Sequence, residues 1–121
     1  LNLHEDYDAL GFYIYELQRI KPYWGEILLE AAAEYIPPDP RQKIEGRSAR
    51  NGIVRRSVTP EMMPEWPEAF VLYFQNAARI FTIETPSEFH LDDRVDAQFA
   101  VISKAVELCR KEFRSKNPAA S

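Results

Sequence analysis

The sequence predicts an α/β fold, and three observations carry that expectation. Runs rich in β-branched and aromatic residues, Phe12–Tyr15 and Ile80–Ile83 above all, suit short strands. Between and after them, apolar residues recur every three or four positions, as on a helix face. Strands alternating with helices, with no internal repeat or low-complexity tract, give the α/β pattern. At 121 residues the chain is expected to form one domain, 1–121, with a real core.

Taken in order, Leu1–Leu3 reads as the end of a strand running into a polar loop, His4-Glu5-Asp6-Tyr7-Asp8. Phe12–Tyr15 is the second strand. Trp24, Ile27, Leu28, Ala31 and Tyr35 place a helix over roughly Pro22–Tyr35, with Pro22 in its first turn. Pro37-Pro38-Asp39-Pro40 stops it, because proline lacks a donor and restricts the residue before it. Arg41–Asn51 shows no period and is read as loop, followed by a short strand at Ile53–Arg55 and turn material at Thr59–Pro64. Pro67 opens a helix with Phe70, Tyr73, Phe74 and Ala77 on its apolar face. After the strand Ile80–Ile83, the residues Val95, Phe99, Ile102, Val106, Cys109 and Phe113 mark a last helix whose apolar face is expected inside. Asp92 and Asp93 near its start and Arg110, Lys111 and Arg114 near its end favour the helix dipole. The tail Ser115–Ser121 is expected to fray.

Composition narrows the function. The formal net charge of −4 argues against a general nucleic-acid binder, whose affinity rests on neutralising phosphates. Basic residues do gather at Arg41, Lys43, Arg47, Arg50, Arg55 and Arg56, as a solvated loop or a local anion site. No apolar run approaches the length needed to span a membrane. The single cysteine, Cys109, excludes an intrachain disulfide and fits a reducing, cytoplasmic setting. On the apolar stripe of the last helix it reads as a buried thiol. The chain opens without Met and in what looks like mid-strand, so a fragment of a longer catalytic domain is expected.

Two strands end in groups capable of chemistry, His4 and Glu84. In α/β sheets ligands bind beyond the carboxyl ends of strands. Parallel pairing of Leu1–Leu3 with Ile80–Ile83 would bring the imidazole and the carboxylate to one edge. A buried carboxylate acquires a shifted pKa and becomes a candidate base, whereas a solvated one is ordinary. Glu5 and Asp6 flank His4 and could orient it, or could be plain loop acids. Tyr7 and Tyr13 could line a substrate pocket, although Tyr13 more simply packs. His90 and Asp93 stand three apart, as a metal pair or as ordinary first-turn residues.

The stretch LNLHEDYDALGFYIYEL (Leu1–Leu17) resembles the segment that carries the third zinc ligand in the zinc carboxypeptidase superfamily. FTIETPSEFHLDDRV (Phe81–Val95) is similar to that superfamily's closing strand and the start of its final helix. The flavour is nearer to the bacterial carboxypeptidase-like and succinylglutamate desuccinylase-like branches than to the digestive enzymes. The resemblance implies a partial mixed sheet flanked by helices, the C-terminal part of that fold. It implies His4 as a zinc ligand, Glu84 as the base that activates zinc-bound water, and a peptide or acyl-amino-acid amide as substrate. The superfamily's His-x-x-Glu pair and substrate-gripping arginines have no counterpart here. One imidazole is short of the three protein ligands of a catalytic zinc. The chain alone is therefore expected to be inactive, not to hold zinc, and to self-associate through an exposed sheet edge. The alternative is a non-catalytic α/β module for binding or assembly.

Overall fold

The computed structural model describes residues 1–57 and 79–116. Its strands are β1 (Asn2–Asp6), β2 (Tyr13–Leu17), β3 (Lys43–Ile44), β4 (Arg47–Ser48), β5 (Ile53–Arg56) and β6 (Phe81–Pro86). Its helices are α1 (Gly25–Ala32) and α2 (Leu91–Lys116). The turn expected at Thr59–Pro64 and the helix expected from Pro67 lie outside the described residues.

Four strands form a mixed sheet in the order β1-β6-β2-β5. β1 runs parallel to β6, with Leu3 opposite Ile83 and His4 opposite Glu84, as the sequence predicts. β2 is antiparallel to β6 and parallel to β5. The expected α/β class and mixed sheet are therefore present.

Alternation along the strands separates two cores. On one face Phe12, Ile14, Ile53, Phe81 and Ile83 pack against Trp24, Leu28 and Ala32 of the α1 region and Ala97 and Val101 of α2. On the other, Tyr13, Tyr15, Leu17, Val54 and Ile80 gather around Ala9 and Ile44. Both helices thus lie on one side. The opposite side carries His4 and Asp6 of β1 and Thr82 and Glu84 of β6.

Several boundaries differ from the sequence expectation for identifiable reasons. The helix expected over Pro22–Tyr35 is shorter, with α1 running only from Gly25 to Ala32. Its N-terminus is satisfied from a distance: the Glu16 carboxylate accepts the backbone N–H groups of Trp24 and Gly25 at 2.9 and 3.2 Å. A Cβ on Gly25 would stand 2.7 Å from Glu16 Oε1, so this approach needs glycine. The supposed loop Arg41–Asn51 contains the hairpin β3–β4, turned at Glu45 and Gly46 with φ of 51° and 77°. The basic residues around it are engaged locally, Arg41 with Asp39, Arg47 with Glu45, and Arg55 with Glu16 and Glu26.

The largest correction concerns α2. Ala97 and Val101 are its buried residues, while Val95, Phe99, Ile102, Val106, Cys109 and Phe113 are exposed. Small and β-branched side chains face α1 and the sheet because the elements pack closely there. The larger apolar stripe faces outward, and Cys109 is not a buried thiol. The helix runs through Ser115 and Lys116, and the rest of the tail expected to fray lies outside the described residues.

Candidate functional site

The face of the sheet opposite the helices presents one row of side chains across three strands: His4, Glu84 and Tyr13 occupy matched positions on β1, β6 and β2. His4 and Glu84 lie within their strands rather than beyond the strand ends, since β1 continues to Asp6 and β6 to Pro86. Parallel pairing absorbs the backbone polar groups there, so the polar residues need not leave the sheet. His4 Nδ1 stands 3.6 Å from Glu84 Oε1. The imidazole side chain is 41% exposed, whereas Glu84 retains only 8% of its surface.

Burial dominates the electrostatics of Glu84, and the charges of Asp6 and Glu45 add to it, raising its pKa to about 8. Near neutral pH this carboxyl is largely protonated, so its contact with His4 does not require an ion pair. Asp6, two residues along β1 on the same face, accepts the Tyr13 hydroxyl. Burial, then that hydrogen bond, pushes the Tyr13 hydroxyl up, and it stays neutral. Tyr15 likewise donates to Glu45 at the hairpin turn, 2.8 Å away, and burial raises it.

The opposite side of β1 serves a different purpose. Glu5 alternates away from His4 and pairs with Arg94 of α2. Thr85, fully buried, donates to the His4 carbonyl at 3.0 Å and accepts from Gln98 of α2 at 2.8 Å. Arg94 also donates to the Phe89 carbonyl. The N-terminal half of α2 thereby fixes β1 against β6 at the level of the His4–Glu84 row.

Of the residues singled out from sequence, His4, Asp6 and Glu84 converge on one face. Glu5 does not join them, and Tyr7 lies in the turn after β1, 79% exposed. His90 is exposed just before α2, with Asp93 in the first turn of that helix. Among the described residues no group of three or more His, Cys, Asp or Glu side chains is arranged to hold a metal. The sequence reading missed the engagement of Tyr13 with Asp6 and the proximity of Tyr15 and Glu45. The period-two placement of Tyr13 and Tyr15 was the available signal for the first. The second depends on a hairpin thirty residues away.

No family model matches the chain. No curated protein matches it either. Solved structures do, three of them as follows. One, named a putative metallopeptidase, is from Shewanella amazonensis SB2B, with a TM-score of 0.71 and 20% identity over 88% of this chain and 38% of that one. Another of the same name, from Shewanella denitrificans OS217, gives 0.70 and 19%, covering 88% and 39%. A third, from Shewanella baltica OS155, gives 0.72 and 21%, covering 88% and 38%. The fold is shared. The chain spans less than two-fifths of the length of these structures, at 38–39%. No helix among the described residues is long and apolar enough to cross a membrane.

Proposed function

We propose that this chain is the C-terminal portion of a metallopeptidase-like hydrolase of the zinc carboxypeptidase kind, acting on a peptide or acyl-amino-acid amide bond. The observation that carries this reading is the His4–Glu84 pair: an accessible imidazole 3.6 Å from a buried carboxyl whose pKa burial lifts to about 8. The shared fold with the Shewanella structures supports it.

In this reading Glu84 is the general base. Its ionised form, which grows as pH rises toward about 8, is a stronger proton acceptor than an ordinary carboxylate, and once protonated it can return the proton to a leaving amine. Asp6 and Tyr13 maintain the polar, partly desolvated surroundings of that carboxyl, and Thr85 holds the β1 backbone under His4. His4 is the metal ligand this chain contributes. The donors on the chain do not by themselves fit a catalytic zinc, which takes three protein ligands, and no group of three is present among the described residues. On this reading the metal belongs to a longer protein that includes a His-x-x-Glu pair.

The test is made in a protein carrying this chain together with such an upstream pair. Glu84→Gln should retain zinc and lose about 10²–10⁴-fold in amide hydrolysis. His4→Ala should instead lower zinc content, because a ligand is removed. Full activity in the Glu84 variant would remove the catalytic assignment and leave a binding or assembly module.

A further inference from the structure

Phe81, Ile83 and Thr85 alternate onto the helix side of β6, and the first two belong to the apolar core there. Thr85 is fully buried, and it meets the partly buried Gln98 of α2, next to the buried Ala97. Polar side chains in an apolar layer are costly unless their hydrogen bonds are made. Valine has the same branched shape and would suit that layer with no polar atom, so the hydroxyl calls for a reason.

The reason lies across the strand boundary. Gln98 Nε2 donates to Thr85 Oγ1 at 2.8 Å, and Thr85 Oγ1 donates to the His4 carbonyl at 3.0 Å. A hydroxyl that accepts from an amide keeps its own proton for another partner, and the His4 carbonyl is the acceptor in place. Thr85 is joined covalently to Glu84. The same hydroxyl therefore links the residue beside the carboxyl to the backbone that carries the imidazole, where His4 stands opposite Glu84. Among the described strands β1 has β6 as its single neighbour, so cross-strand bridges of this kind bear on where His4 sits. One turn earlier on α2, Arg94 pairs with Glu5, whose side chain is directed to the helices.

We propose that Gln98 is a positioning residue for the His4–Glu84 pair, acting through the Thr85 hydroxyl. As a donor, its amide turns the hydroxyl proton toward β1. A carboxylate of the same size only accepts, so it would draw that proton back to α2 and leave the His4 carbonyl without it. A packing role for Gln98 would be indifferent to this reversal. The consequence for hydrolysis rests on the hydrolase reading: loss of the bridge displaces two reacting groups relative to one another, and misplacement on the order of 1 Å can cost about 10²-fold in rate.

The experiment compares Gln98→Glu with Gln98→Met. Arg94→Met is the control, because the new carboxylate stands one turn from Arg94. Circular dichroism confirms helix content. In the isotopically labelled chain, Gln98→Glu should move the NMR signal of the His4 carbonyl carbon upfield, as loss of a hydrogen bond does. It should also weaken the nuclear Overhauser contacts between the His4 ring and the Glu84 side chain. Gln98→Met leaves the hydroxyl proton unopposed on His4 and should change both in the same direction but less. Arg94→Met should leave both near their wild-type values. A His4 carbonyl unmoved by Gln98→Glu, or moved as far by Arg94→Met, would overturn the proposal. If Gln98→Glu does not fold, Gln98→Met decides alone, and an unmoved carbonyl again overturns it. In a protein that carries this chain with an upstream His-x-x-Glu pair, Gln98→Glu should lower kcat about ten- to hundredfold with KM unchanged. Unchanged kcat there, while Glu84→Gln abolishes hydrolysis, would remove the positioning role. Hydrolysis that survives Glu84→Gln would instead remove the hydrolase reading, and the carbonyl shift would still decide the positioning.

Discussion

Two buried carboxylates on neighbouring strands of the same sheet have opposite surroundings. Glu16 of β2, 2% exposed, points to the helix side, where two N–H groups of Arg55 meet its Oε1 at 2.8 and 2.7 Å and two backbone N–H groups complete its shell. Glu84 of β6, 8% exposed, points to the other side, where among the described residues it faces the His4 imidazole, Tyr13 and the charges of Asp6 and Glu45. Burial is nearly equal, so it cannot be what distinguishes them. The difference lies in the partners: Glu16 is tied to a cation and a helix start, and Glu84 meets an imidazole and two acids whose charges favour its neutral form. Position in the sequence gives no hint of this, since each follows a run of aromatic and β-branched residues.

The comparison is broken most sharply at Glu16. Glu16→Ala should destabilise the fold by about 2–4 kcal/mol, because it removes the buried partner of Arg55, which keeps the exposed Glu26, and uncaps α1. Urea unfolding measures this. A cost below about 1 kcal/mol would mean that the Arg55 contact is not structural.

Glu84 should behave in the reverse sense. Its folded-state pKa of about 8 lies above the unfolded value of 4.5, so its favourable contribution is complete below pH 4.5 and is lost as pH rises through 8. Glu84→Gln should therefore match the wild type near pH 5 and exceed it in stability by up to about 4 kcal/mol at pH 9. Thermal unfolding of both proteins across that range checks the sign. At the acid end Asp39 works oppositely. Burial pushes its carboxyl up, but the Arg41 side chain and the backbone N–H groups of Arg41 and Leu10 together hold it below the usual range. Its contribution is present above the ordinary Asp pKa and disappears as pH falls.

A smaller effect sharpens the comparison at the strand beneath His4. Thr85→Val should cost about 1–3 kcal/mol, since the Gln98 amide and the His4 carbonyl each lose a partner inside the protein. Thr85→Ser should recover most of it. Equal stability of the two variants would show that the hydroxyl bridge is dispensable.

Strand identity and the His4–Glu84 pairing were legible because they follow from local propensity and from parallel β1–β6 register. The contacts that give each carboxylate its character were not. Glu16 meets Arg55 across 39 residues, and Tyr15 meets Glu45 across 30, through a hairpin of two-residue strands too short for propensity to reveal. The α2 stripe failed for another reason. Spacing of three and four residues describes a core-facing helix and a coiled-coil seam equally well, and only the position of α1 decides which side of α2 is covered. Ala97 and Val101, short enough for close helix packing, occupied the covered side.

The claim that Glu84 is poised rather than structural is tested most directly by titrating its side-chain carboxyl carbon by NMR in the isolated chain. A midpoint near 8 is predicted from its burial and the neighbouring charges of Asp6 and Glu45. A midpoint at the ordinary 4.5 would contradict the account, since it would place Glu84 among solvated or cation-paired carboxylates.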